Sequence, residues 1–301
     1  REVLAELPPE KPVFLTASFY APHPPLFPPK EYYDRLLQRE LPRPARGDWV
    51  DWSRLKPEGD RPGHRVLLEG ETLRTAQAGY FGLIEHLDHE IAPLIEQFKA
   101  RSEAAGRPWV VVFTSDHGEM LGDHGYFRKC EPFEGSANVP MILCGSPELQ
   151  FQAGRRSHRP VCLEDVLPTL VELAGAKCPP VDGRSLLPSA RGKQDEVRPW
   201  LHFEHAPIYG KPQAFHALTD GRMKYIWRPQ NGREHLFDLE SDSREEKDLS
   251  GDPAYREQLD NWRGRLIERL ANRSEGFSDG TRLIPGRRYA PLNQGLPRDL
   301  P

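Results

Sequence analysis

The chain has 301 residues, of which 37% are hydrophobic and 29% charged, with a formal net charge of -4. That balance suits a globular protein with a sizeable core. It excludes the basic stripe of a nucleic-acid binder, and no run of about 18 apolar residues offers a membrane span.

The first residue is Arg1 and an apolar run soon follows, so the start reads as a cut in a longer sequence. Lys11–Phe19 (KPVFLTASF) predicts a buried strand ended by Pro22. The proline-rich loop Pro22–Pro29 follows it directly, where open α/β sheets hold their ligands. Glu31–His64 has weak patterning and predicts a long surface excursion. From Glu71 to Ala100, Leu73, Ala76, Tyr80, Ile84, Leu87, Ile91, Leu94 and Phe98 recur at helical spacing, with Pro93 set to kink the helix or start a second one.

Trp109–Thr114 (WVVVFT) has the continuous apolar character of a central parallel strand. Val139–Cys144 predicts another strand and Pro160–Leu163 a short one. Asp165 can cap a helix over Val166–Ala174 that ends at Gly175. Alternating strands and helices predict an α/β layer fold. Beyond about residue 190, Trp200–His205, Ala214–Thr219, Met223–Trp227 and Glu234–Leu239 predict four short antiparallel strands, with turns at Asp220-Gly221 and Asn231-Gly232. A helix over Pro253–Ala271 presents Leu259, Trp262, Leu266, Ile267 and Leu270 to that sheet. The expected organisation is an α/β domain over 1–190, a sheet subdomain over 191–275 and an irregular tail over 276–301. Of the four cysteines, Cys144 and Cys162 lie in apolar runs and are expected to be buried thiols.

The segment richest in chemistry is Ser115–Lys129 (SDHGEMLGDHGYFRK). Asp116 and His117 stand at a strand tip, where a carboxylate beside an imidazole offers oxygen and nitrogen ligands to a divalent cation. Gly118, Gly122 and Gly125 let the backbone turn sharply, and the loop is long enough to return Lys129 over an anion. Spacing alone equally allows an ordinary polar loop.

This segment resembles the sulfatase signature of the alkaline-phosphatase-like superfamily. In the same order, residues 11–25 are similar to that family's strand and histidine loop, and 132–143 and 164–175 to later elements. Residues 182–188, 223–227 and 235–239 resemble its C-terminal subdomain. The resemblance implies a partial α/β/α sandwich followed by a small antiparallel sheet with a helix. It implies that Asp116 and His117 are ligands of a divalent metal, Ca²⁺ by family habit. Many members carry asparagine at the His117 position, so histidine leaves a transition metal open. Lys129 would bind the sulfate and steady the leaving oxygen. His23 would hydrogen-bond the ester and protonate the departing alcohol. His205 and Glu204 are further candidates for substrate contact, and His124 for orienting the loop. The partner implied is a sulfated small molecule or carbohydrate, and the family favours export to the periplasm or outside the cell. A phosphonate or phosphate ester hydrolase of the same superfamily, or a non-catalytic anion-binding chain, are the alternatives.

The family's nucleophile is a formylglycine made within a C/S-x-P-S/A-R motif, and these 301 residues contain none. Cys130-Glu131-Pro132 begins like one, but Phe133 and Glu134 follow, so Cys130 reads as structural. The acidic pair, lysine and histidine of the family's earlier segments are likewise absent. The expectation is a truncated chain, inactive alone, with formylglycine supplied by its upstream part.

Overall fold

The computed structural model describes residues 2–8, 11–57, 65–194, 197–207 and 214–287. Its helices in the first half are α1 (Glu2–Glu6), α2 (Lys30–Leu37) and α3 (Gly70–Ala104). Strand β1 (Val110–Thr114), the short helix α4 (Glu134–Ala137), strand β2 (Met141–Gly145) and helices α5 (Val166–Leu173) and α6 (Leu187–Ala190) follow. Strands β3 (Leu201–His205), β4 (Phe215–Thr219), β5 (Met223–Trp227) and β6 (Glu234–Asp238) then form a second sheet, covered by α7 (Arg256–Leu270). The class is α/β, a partial sandwich with a small antiparallel sheet and helix. Among the described residues, no helix is long and apolar enough to cross a membrane.

The second sheet shows how its sequence works. Its order is β3-β4-β5-β6, antiparallel throughout, with Gly221 and Gly232 at positive φ in the later turns. Alternation sends Leu218, Tyr225, Trp227 and Leu236 to the face that meets Leu259, Trp262, Leu266 and Leu270 of α7. Phe215, Ala217, Ile226 and Phe237 point to the opposite face, against Met120, Tyr126 and Phe133. The segment between β1 and β2 is therefore anchored on the second sheet. Trp49 completes this layer, stacked on Phe133 at 4.7 Å between ring centroids.

Several expectations are corrected. Residues 12–20 carry no regular structure, and Phe14 is 80% exposed; an apolar run becomes a strand only where a backbone edge lies beside it. β1 pairs with β2 antiparallel, Thr114 opposite Met141, and neither strand is buried. The chain doubles back at the tip of β1 with no long crossover helix, so β2 starts beside the end of β1. That leaves Cys144 exposed on the outer side of β2, not buried. Pro160–Leu163 forms no strand: Pro160 lacks an N–H, and the Cys162 N–H donates to Asp165 at 2.9 Å. α3 runs unbroken through Pro93, and its buried residues are Gln77, Ala78, Gly79 and Gly82, while Ile84 of the expected stripe is exposed. Residues 30–57 are more than surface, since Tyr32, Leu36, Ala45 and Val50 are buried; residues 58–64 lie outside the described part. In the tail, Phe277 is buried beneath α7 and Ser278 bridges Leu283, whereas 288–301 lie outside the described residues.

Candidate active site

The proline-rich loop reaches its place because α3 lets it in. A Cβ on Gly79 would stand 2.4 Å from the Leu26 carbonyl oxygen, and one on Gly82 would stand 2.8 Å from Pro28. Glycine at both positions lets the 26–28 strap lie directly on the helix. Just before the strap, His23 sits between the cis peptides Ala21–Pro22 and Pro24–Pro25. Its Nδ1–H donates to the Pro24 carbonyl at 2.8 Å, which leaves Nε2 with a free lone pair. Lys129 Nζ donates to that Nε2 at 3.0 Å, across 106 positions of sequence.

Lys129 is held from both sides. Arg128 and Cys130 both have positive φ, a conformation costing about 1–3 kcal/mol each for such residues. The Arg128 N–H donates to the Glu119 carboxylate and its carbonyl accepts from the Met120 N–H, pinning the backbone there. Burial pushes the Glu119 carboxyl up, opposed by the Leu121 and Arg128 N–H groups. Cys130 is a half-buried free thiol, raised by the same effect.

At the tip of β1, His117 Nδ1–H donates to the Gly118 carbonyl at 2.8 Å, which turns its Nε2 lone pair outward. Asp116 Oδ2 lies 3.6 Å from that Nε2, and Asp116 is largely exposed. The pair thus presents one carboxylate oxygen and one imidazole nitrogen on the same side of the strand tip. The segment is fixed by Gly118: its N–H donates to the Ser136 carbonyl, and a Cβ there would stand 2.2 Å from the Gly135 oxygen. The His117 and His23 rings stand 6.3 Å apart, edge to face. The carboxylate–imidazole pair, the lysine and the loop histidine thus share one locality.

His205 does not join them. On β3 its ring bonds the Ala206 carbonyl and stacks on Phe215. Glu204, its neighbour, points to the opposite face and pairs with Arg273 and His216. His124 is buried, accepts the Gly47 N–H at Nδ1 (3.1 Å), and is pushed down to about 4 by desolvation; it orients the 45–47 loop.

A cleft of about 280 Å³ is lined by Pro24 and Arg128, the chain neighbours of His23 and Lys129, together with Leu26, Val66, Leu68, Ala76, Glu119 and Phe127. Sequence reading missed its walls. They come from four separate stretches, and only Glu119, Phe127 and Arg128 lie in the motif.

Residues 1–176 match the family model described as Sulfatase, and residues 122–272 match that of the C-terminal part of N-sulphoglucosamine sulphohydrolase. The chain belongs to the sulfatase family. This sulfatase chain is 34% identical over 285 residues to an arylsulfatase of Clostridium perfringens, covering 92% of itself and 57% of that protein. It is 31% identical to a choline-sulfatase of Rhizobium meliloti, covering 81% of itself and 47% of the relative. The sulfatase chain therefore spans about half the length of the curated relatives it matches. Among solved structures, it superposes on a phosphonate monoester hydrolase of Agrobacterium radiobacter with a TM-score of 0.70 at 25% identity, covering 90% of this chain and 58% of that one. The two family matches overlap in the segment that carries Lys129 and anchors on the second sheet.

Proposed function

We propose that the complete protein is a metal-dependent hydrolase of a sulfate monoester. The observation that carries this is the 3.0 Å contact between Lys129 and His23, beside the Asp116–His117 pair, in a chain of this family. Asp116 and His117 fit a divalent cation as one oxygen and one nitrogen donor, the second with its other ring nitrogen already tied to a carbonyl. The cation would draw charge from the ester oxygens; with histidine in the set, Ca²⁺ and a transition metal are both compatible. When the ester enters, the Lys129 ammonium turns from His23 to the anionic oxygens, where its charge is worth most as negative charge builds. His23, still oriented by Pro24, takes up a proton at Nε2 from solvent water and gives it to the leaving oxygen. The apolar walls of the adjoining cleft suit an aryl or alkyl leaving group.

The nucleophile is expected from sequence outside these 301 residues, and none of the roles above passes through it. Reading the upstream coding sequence tests this part: a C/S-x-P-S/A-R motif preceded by an acidic pair supports it. A start codon immediately before Arg1 removes it in favour of a non-catalytic chain. For the reaction itself, turnover of 4-nitrophenyl sulfate by the complete protein should exceed that of 4-nitrophenyl phosphonates. The opposite order would assign it to phosphonate chemistry. Lys129→Ala should lower kcat/KM for the sulfate by roughly 10²-fold or more, the scale of losing one preorganised donor.

A further inference from the structure

The face of the second sheet turned toward α7 carries a second group of donors that the proposed reaction does not use. His202 and Glu204 lie two residues apart on β3 and so share a face, and His216 of β4 is the register partner of Glu204. His202 Nε2 lies 3.2 Å from His216 Nδ1, His216 Nδ1 lies 2.9 Å from Glu204 Oε2, and His202 Nε2 lies 3.6 Å from the same oxygen. Zinc–nitrogen and zinc–oxygen bonds of roughly 2.0–2.2 Å at tetrahedral angles put donors about 3.3–3.6 Å apart. The triangle already has nearly that size. His216 Nδ1 faces both Glu204 and His202, yet one ring nitrogen holds a single proton and can serve only one of them by donation. A cation at the centre serves all three.

We propose that His202, Glu204 and His216 form a site for a zinc-class transition metal, separate from the Asp116–His117 pair, which clamps β3 to β4. Two imidazoles and one carboxylate favour such an ion over Ca²⁺, which prefers oxygen. Glu204 reaches solvent, so water can fill the fourth position. Two arginines compete for the donors. Arg273 grips Glu204 through both terminal guanidinium nitrogens, but it is also paired with Glu275 and keeps a carboxylate when Glu204 turns to the metal. Arg269 Nε donates to His202 Nδ1 at 3.5 Å, a long hydrogen bond, and must withdraw so that Nδ1 carries the proton while Nε2 binds.

The test uses the complete protein carrying Asp116→Ala, titrated with Co²⁺ and followed by visible absorption. One equivalent is expected to bind with the intense bands of four-coordinate Co²⁺. His202→Gln should abolish it and Arg269→Gln should tighten it, with the metal-free melting midpoint confirming that each variant folds. Glu204→Gln gives the same reading should His202→Gln not fold. No bound equivalent in the Asp116→Ala protein, or binding that survives both His202→Gln and Glu204→Gln, overturns the assignment.

Discussion

At the scale of single residues, the chemistry turns on which atom holds which proton. His23 spends its Nδ1–H on Pro24, so its working nitrogen is Nε2, the atom that meets Lys129. If Nε2 protonates the departing oxygen, His23→Gln should slow esters of poorly acidic alcohols far more than nitrophenyl sulfate, whose leaving group needs little help. Equal losses across a leaving-group series would show that His23 only binds. Asp116, His117, Lys129 and His23 were all legible in the sequence, because a contiguous motif and a proline-flanked histidine carry them. His205 lies outside this cluster: strand alternation sends Glu204 and His205 to opposite faces and gives each local partners. Buried charge was also invisible: Lys224 lies between Glu134 and Glu245, and no local pattern announces residues brought together from three segments. Burial, with Glu134 adding to it and Lys224 opposing it, pushes the Glu245 carboxyl up to about 7. Its folded value is above its unfolded one, so it contributes stability that is complete below about 4.5 and is lost as pH rises through about 7. Glu245→Gln should remove that decline from a plot of unfolding free energy against pH; an unchanged slope would point to other groups.

At the scale of elements, placement of the site depends on close backbone contacts. Gly79→Ala forces a methyl against the Leu26 carbonyl, so the strap and the His23 loop behind it must shift. A fall in kcat/KM of about 10-fold or more is expected, with α3 helicity preserved, since a displacement near 1 Å costs that much or more. Wild-type turnover would mean that the loop is positioned otherwise. The α5 region rests on Asp165, which pairs in burial with Arg198 and accepts the Cys162 and Arg184 N–H groups. Asp165→Asn strips a buried charge pair of one partner and should cost about 3–5 kcal/mol in chemical denaturation. Asp165 was expected to cap α5, but its side chain makes no cap hydrogen bond there and turns instead to the Cys162 and Arg184 N–H groups and to Arg198, 33 residues on. The strands and helix of the second sheet were read almost to the residue, because alternation, Asp-Gly and Asn-Gly turns and a helical stripe all agree there. Lys11–Phe19 forms no strand although its composition suits one, whereas β1 pairs with β2 but is not buried. Composition reports what a segment can bury, whereas pairing depends on which backbone edge lies beside it.

At the scale of the whole molecule, one aromatic layer joins the signature segment to the second sheet. Phe133, fully buried, touches Trp49, His124, Tyr126, His235 and Phe237, which belong to three regions of the chain. Phe133→Ala should lower stability by about 3–5 kcal/mol and destabilise both regions together in one transition. Two separated transitions would show that they fold independently. This layer also sets the base from which the 115–130 loop carries Asp116, His117 and Lys129 back toward His23.

The central claim is that Lys129 and His23 grip a tetrahedral anion beside the Asp116–His117 pair. Calorimetric titration of inorganic sulfate into the complete protein, wild type against Lys129→Ala, measures it most directly. A charge-assisted hydrogen bond worth about 1.5–3 kcal/mol predicts affinity weakened roughly 10- to 100-fold in the variant. Equal affinity in the two proteins would contradict the site.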